Sequence, residues 1–284
     1  MNIGNVQIMI EVEEVPSKSR SLQPSILRKG LGQSFFATNL VFHEIADSTN
    51  SLARELGANG APEGTVVMAE VQTAGRGRME RRWLSPGYVN LLFSLLLRPP
   101  MKAEQVFGLT MLLALASIDG VKEVSGLASM IKWPNDLYVG RKKLGGILTE
   151  LSVRGNDVEY VVLGLGLNVN WNPADEESLP YSVTSILAET GKMVSRERLL
   201  VRMLKRFESY YRQLLTGEID EFYERWNERS ILLGKRVEFE TVDGTICGKA
   251  SRVDRSGALI ILDDDGQEQK LVCGDVSVQE VQDE

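Results

Sequence analysis

Between Ala74 and Pro86 the chain reads AGRGRMERRWLSP, with four arginines, two spaced glycines and a tryptophan. Arginine forks donate in pairs to phosphate or carboxylate. Gly75 and Gly77 let the backbone approach a ligand closely. Trp83 offers a flat apolar face for a ring. An anionic ligand carrying a planar base accounts for all of these together. A solvated basic loop with a structural tryptophan accounts for them separately. A second cluster is KWPNDLYVGRKKLGGILTE, Lys132–Glu150. Pro134 breaks a strand there, leaving Lys132, Asn135 and Asp136 at its end. A hairpin turning at Gly140 returns Lys143 to Lys132, with Gly145 and Gly146 leaving room beside it. Two ammonium groups, an amide and a carboxylate then face one pocket, unless this is a plain hairpin with surface lysines. A third cluster, GLGLNVN, ends an apolar strand at Asn168, whose amide can face a site or simply form a turn.

Other chemistries fit poorly. One histidine, His43, lies in the alternating run LVFHEI and reads as a strand residue, so Ser-His-Asp and Cys-His arrangements lack support. Two cysteines, Cys247 and Cys273, are too few for a metal cage and read as buried thiols. No G-x-x-x-x-G-K-[ST] occurs, and neither GRGRME nor GLGLNV completes G-x-G-x-x-G, so a nucleotide site here is of another design. The chain has 284 residues, 43% of them hydrophobic, and a net charge of −7. Only the arginine loop is markedly basic, which leaves no broad footprint for a nucleic-acid duplex. No apolar run of spanning length and no secretory leader is evident, pointing to a cytoplasmic protein with no membrane partner.

These side chains need elements to hold them. LVFHEI, TVVMAEV and NLLFSLLLR read as strands, the last buried on both faces. STNSLARELG reads as a helix capped by Asp47 or Ser48 and stopped at Gly57. Ala103–Glu123 has helical spacing. ASMIKWP, KLGGILTELSV and VEYVVLGLGLNVN read as strands, with a tight turn at RGND between the last two. Ser195 caps an amphipathic helix to Leu215, and a shorter helix covers Ile219–Arg229. After Gly234 short β runs recur between DG, RSG and DDG turns, the pattern of a small antiparallel barrel. Residues 235–284 carry twelve acids against six bases, so most of the negative excess lies away from the arginine loop. The expected organisation is an α+β chain: 1–34 an irregular lead-in or linker with an apolar run at Ile8–Val12, 35–233 a mixed sheet flanked by helices, and 234–284 a small β domain.

Taken jointly, the clusters resemble the biotin protein ligase, or biotin–[acetyl-CoA-carboxylase] ligase, family. The order is Ser48-Thr49-Asn50, QTAGRGRMERRW from Gln72 to Trp83, KWPND from Lys132, KLGGIL from Lys143, and GLGLN from Gly164. The resemblance implies a class II synthetase-like catalytic fold with an SH3-like tail. It implies that biotin and ATP give biotinyl-5′-AMP, and that a lysine of a biotin carboxyl carrier protein then takes the biotin. By that resemblance Ser48, Thr49, Asn50, Gln72, Gly75, Arg76, Gly77, Arg78, Lys143 and Gly146 serve biotin. Arg78, Arg81, Trp83, Lys132, Asn135 and Asn168 serve ATP, with Mg²⁺ held mainly by its phosphates. Lys143, Arg78 and Asp136 are the catalytic candidates, Asp136 by orienting or deprotonating the incoming lysine.

The resemblance leaves room for a homodimer. Its repressor-type members carry an N-terminal DNA-binding module of about 60 residues, and Ser48 comes too early for one, so DNA is not an expected partner. Gln279 stands where some relatives place a basic nucleotide contact, and Met79 and Glu80 fall in a variable part of the loop. The alternatives are a lipoate or octanoate ligase, which shares the fold, and a ligand-sensing regulator.

Overall fold

A computed structural model describes residues 21–79, 81–175, 182–241, 244–272, 274 and 276–278. The expectations for Ile8–Val12, Glu80, Cys273 and Gln279 lie outside these residues.

Seven strands form the main sheet. They are β1 (Leu40–Ala46), β2 (Thr65–Gln72), β3 (Leu91–Leu97), β4 (Met130–Lys132), β5 (Asp136–Val139), β6 (Lys142–Arg154) and β7 (Asp157–Leu167). Their order is β1-β2-β3-β7-β6-β5-β4, with β1 parallel to β2 and the other neighbours antiparallel. Every residue of β3 is buried, because helices cover both faces of the sheet there. On one face lies α2 (Thr49–Ala58), packed on Val67, Leu96 and Val162 through Ala53. On the other lie α3 (Phe107–Ser125) and α5 (Arg196–Leu215), with the short α4 (Ile186–Thr190) and α6 (Asp220–Glu228). Helix α3 is apolar around most of its circumference because it packs between the sheet and α5. With the turn before it, its length and composition would suffice to cross a membrane, but 78% of that apolar window is buried inside the protein. Ser195 caps α5 as its spacing predicts, its hydroxyl accepting from the Arg198 N–H at 3.1 Å.

Two local expectations need correcting. The stretch PSILRKGLG is not an irregular linker but the helix α1, Pro24–Leu31. Pro24 opens it, where the missing N–H is not needed. Gly32 closes it at φ 62°. Leu27 and Leu31 point into the core beside α5, and a Cβ on Gly30 would meet Val201 at 2.8 Å. Gly57 does not stop α2 but lies inside it, where a Cβ would come within 2.9 Å of Leu96 and 3.0 Å of Tyr160. That glycine is there to bring the helix close to the sheet.

Beyond Leu232 the chain forms a second, antiparallel sheet in the order β11-β10-β9-β8-β12. Its strands are β8 (Arg236–Thr241), β9 (Gly244–Val253), β10 (Leu259–Leu262), β11 (Glu268–Leu271) and β12 (Val276–Val278). A bulge interrupts the β9–β10 register, and the strands approach closely at Gly248, where a Cβ would sit 2.3 Å from the Leu262 carbonyl oxygen. Trp133 Nε1 donates to the Gly257 carbonyl at 2.8 Å, tying the turn after β4 to this second unit.

Candidate active site

A cavity of about 270 Å³ opens on the α2 side of the main sheet. Its floor is explained by the sheet register. Gly146 on β6 pairs with Gly166 on β7, and Leu148 pairs with Gly164. Three bare positions therefore adjoin on one face, while Leu163, Leu165 and Leu167 fill the other. A side chain at any of the three would crowd a neighbour. A Cβ on Gly164 would lie 1.8 Å from Asn50 Oδ1, one on Gly166 2.4 Å from the Trp83 ring, and one on Gly146 3.0 Å from Asp136 Oδ1.

The start of α2 supplies a polar wall. Ser48, Thr49 and Asn50 are all buried. Gln72, at the end of β2, accepts from the Thr49 N–H at 2.7 Å and lies 3.0 Å from the Thr49 hydroxyl. The Ser94 hydroxyl is 2.6 Å from Asn50 Oδ1 and 2.8 Å from Thr49 Oγ1. Gln72 Oε1 and Asn50 Oδ1 have no proton to give, so the Thr49 hydroxyl donates to Gln72 and the single Ser94 proton is shared between Asn50 Oδ1 and Thr49 Oγ1. Ser48 is the N-cap position of α2, but its side chain makes no capping bond.

The arginine loop forms the lid. Arg76 pairs with Arg82 in a small antiparallel bridge, the Gly77 N–H donates to the Arg81 carbonyl at 2.6 Å, and the Trp83 N–H donates to the Gly75 carbonyl at 2.9 Å. Met79 turns the tip at φ 52°, in the left-handed region, and is largely exposed. Arg78 reaches across the cavity to donate to Asn135 Oδ1 at 3.2 Å. Trp83 lies over Gly166, and its Nε1 has no protein partner.

The opposite wall comes from the β4–β5–β6 turns. Asn135 donates through Nδ2 to the Ile147 carbonyl and receives the Ile147 N–H on its own carbonyl at 2.9 Å. Lys143 Nζ donates to Asp136 Oδ2 at 2.7 Å and lies 5.7 Å from the centre of the Trp83 ring, so the ammonium is held between a carboxylate and a π face. Lys132 Nζ sits over the Tyr138 ring at 5.6 Å. Both lysines border the same cavity, as the hairpin at Gly140 predicts.

Fourteen of the sixteen sequence-derived candidates line this cavity: Ser48, Thr49, Asn50, Gln72, Arg76, Gly77, Arg78, Arg81, Trp83, Lys132, Asn135, Asp136, Lys143 and Gly146. Gly75 and Asn168 do not. Gly75 is buried in the loop stem, where a Cβ would strike the Trp83 carbonyl at 2.6 Å. Asn168 is buried behind the wall. Its Nδ2 donates to the Thr184 carbonyl at 3.0 Å and its N–H to the Leu144 carbonyl at 2.9 Å, while Oδ1 has no protein partner. Sequence reading missed Tyr138, although two residues beyond Asp136 on one strand is the same face. It also missed Val276, by which the C-terminal sheet contributes to the cavity wall; nothing local marks that residue. Among the described residues no three His, Cys, Asp or Glu side chains gather as a metal cage.

Residues 42–168 match the model of the biotin/lipoate A/B protein ligase family, and residues 232–278 match that of the biotin protein ligase C-terminal domain. The chain is 35% identical over 262 residues to the bifunctional ligase/repressor BirA of Bacillus subtilis, covering 92% of this chain and 80% of that one. It is 31% identical to the biotin–[acetyl-CoA-carboxylase] ligase of Mycobacterium tuberculosis, covering 92% of this chain and 95% of the relative. Its fold is similar to that of the Aquifex aeolicus biotin protein ligase in complex with biotin and ATP, with a TM-score of 0.71, 29% identity, and coverage of 86% and 100% of the two chains.

Proposed function

Because the chain belongs to the biotin protein ligase family, we propose that its cavity joins biotin to AMP and passes the biotin on to a lysine of a carrier protein. In the first step a biotin carboxylate oxygen attacks the α-phosphorus of ATP and pyrophosphate leaves. In the second the ε-amine of the acceptor lysine attacks the acyl carbon, an amide forms, and AMP leaves. The acceptor in this proposal is the biotin carboxyl carrier domain of acetyl-CoA carboxylase. The chain's net charge of −7, with one short basic loop, favours a protein over DNA as the macromolecular partner.

The observation that carries the reading is the position of Lys143. Two anions, a carboxylate and a phosphate, must meet within bonding distance, and their repulsion opposes the reaction. A single ammonium, held in the cavity by Asp136 at 2.7 Å, is placed to bridge them. As the anions take Lys143, Asp136 is released to orient the acceptor's ammonium and take its proton, leaving the neutral amine that attacks. The polar wall of Thr49, Asn50 and Gln72 suits a ureido ring with donors and acceptors better than an apolar dithiolane, which favours biotin over lipoate. The bare positions at Gly164 and Gly166 let Asn50 and the Trp83 ring lie close on the sheet, where both border the cavity.

Arg78 and Arg81 would meet the phosphates, with Arg78 steadied by Asn135. Lys132, resting on Tyr138, adds a second cation at that end. Mg²⁺ would enter with the nucleotide as part of the substrate, lowering the charge of its phosphates. Asn168 acts one step back from the cavity in this scheme, fixing the strand segment around Thr184 that flanks Lys143. The loop's second task is to keep water from the mixed anhydride. Transfer of labelled biotin to a purified carrier domain, with and without ATP, tests the whole proposal. Labelling that needs ATP and is not displaced by lipoate is the expected result. Label transfer that proceeds equally without ATP, or that lipoate outcompetes, would overturn it.

A further inference from the structure

Glu150, on β6, does not line the cavity, yet three donors from two distant stretches converge on its carboxylate. Oε2 accepts from Asn50 Nδ2 at 2.8 Å and from an Arg76 guanidinium nitrogen at 2.8 Å. Oε1 accepts from Arg54 at 3.1 Å. Asn50 belongs to the polar wall and Arg76 to the lid, so one oxygen atom touches both halves of the site.

The Asn50 amide has only one workable orientation here. Its Nδ2 donates both to Glu150 and to the Leu148 carbonyl at 3.1 Å, while Oδ1 receives the Ser94 hydroxyl. Turned over, Oδ1 would face a carboxylate and a carbonyl. The tolerance is small, because Oδ1 occupies the space that any side chain at Gly164 would need. The same carboxylate gives the lid a charge-assisted anchor on the sheet. We propose that Glu150 is a positioning residue that couples ligand recognition to lid closure, by fixing the Asn50 amide and clasping the arginine loop through Arg76. The inference rests on the ligase reading above. A biotin seated against Asn50 and a lid held by Arg76 then support each other through a shared acceptor, and the adenylate is retained only when both are in place.

The test compares Glu150→Gln, which keeps size and one acceptor but removes the charge, with Glu150→Ala, Arg76→Ala, the Arg76→Ala/Glu150→Ala double variant and Arg54→Ala. Biotin affinity is measured by calorimetry, KM for ATP by pyrophosphate release, and adenylate retention by the fraction of biotinyl-AMP found in solution rather than on the carrier. Glu150→Gln is expected to weaken biotin about tenfold and to raise the escaped fraction, with KM for ATP and the melting temperature near wild type. The double variant should lose no more adenylate than the worse single one, since both remove the same clasp. Arg54→Ala, which touches only Oε1, should retain adenylate normally. Unchanged biotin affinity and retention in Glu150→Gln would overturn the inference. So would multiplying losses in the double variant, or an equal loss in Arg54→Ala, which would assign the effect to anchoring of α2. A wild-type chain that makes no adenylate would sink the ligase reading itself, whereas normal wild-type adenylation with unaffected Glu150 variants would sink only the coupling.

Discussion

Lys143 shows how much one side chain can be asked to do. Its ammonium is paired with Asp136 and faces Trp83. Removing one such electrostatic contact to a developing charge costs on the order of 10²–10³ in rate. Lys143→Ala is therefore expected to cut ATP-dependent pyrophosphate release by about that factor or more, while biotin binding survives on the Thr49–Asn50–Gln72 wall. A release assay giving near-normal rates would remove Lys143 from the chemistry. The floor makes a separate claim. Gly164→Ala would put a methyl 1.8 Å from Asn50 Oδ1 and force that amide aside. Overpacking of this kind costs about 1–3 kcal/mol of stability, and biotin affinity measured by calorimetry should fall because the Asn50 amide is displaced; unchanged affinity would separate that amide from ligand recognition. These two residues also differ in how they could be found. Lys143 was readable from the motif it sits in. The glycine floor was readable in principle, because Gly164 and Gly166 alternate with Leu163, Leu165 and Leu167 as a strand with one bare face does. Val276 and Glu150 had no such signal, since their neighbours come from distant parts of the chain and reach them only after folding.

At the scale of elements, the strands were legible because alternation and apolar runs survive burial. The long helices were legible because α5 keeps one apolar stripe and α3 is apolar nearly throughout. Helix α1 was hidden for a definite reason. Its proline and two glycines look like loop residues in isolation, but Pro24 occupies the first turn, Gly30 is pressed against Val201, and Gly32 caps the end. Context reversed the meaning of all three. If α1 were a dispensable lead-in, trimming its side chains would cost little. Leu27 is instead fully buried in the main core. Leu27→Ala is expected to destabilise the protein by about 2–5 kcal/mol. The midpoint of urea unfolding, at unchanged slope, measures this. A midpoint within error of wild type would return residues 24–31 to the status of a linker.

Across the whole molecule, the two sheets meet where Trp133 donates to the Gly257 carbonyl. Gly257 belongs to the tight turn 254–258, which Asp254 organises: Oδ1 accepts from the Ser256 hydroxyl at 2.6 Å, the Ser256 N–H at 2.8 Å and the Ala258 N–H at 3.1 Å. Lys270 pairs with Oδ2 at 2.8 Å. Burial alone would raise the pKa of this carboxyl, but Lys270, the Ser256 hydroxyl and the two backbone donors outweigh it and bring it down from 3.8 to about 2. Because the folded value is depressed, the contribution to stability is full above pH of about 4 and disappears as pH falls towards 2. Partial exposure screens it, leaving about 1 kcal/mol. The consequence extends beyond the small domain, since the turn that Asp254 holds also carries the acceptor for Trp133 and steadies the unit from which Val276 reaches the cavity. Asp254→Asn should lower stability at pH 7, and the gap to wild type should close between pH 4 and pH 2. Urea unfolding at pH 7, 3 and 2, followed by tryptophan fluorescence, reads this directly. A gap of constant size across that range would mean that the charge of Asp254 does not hold the turn.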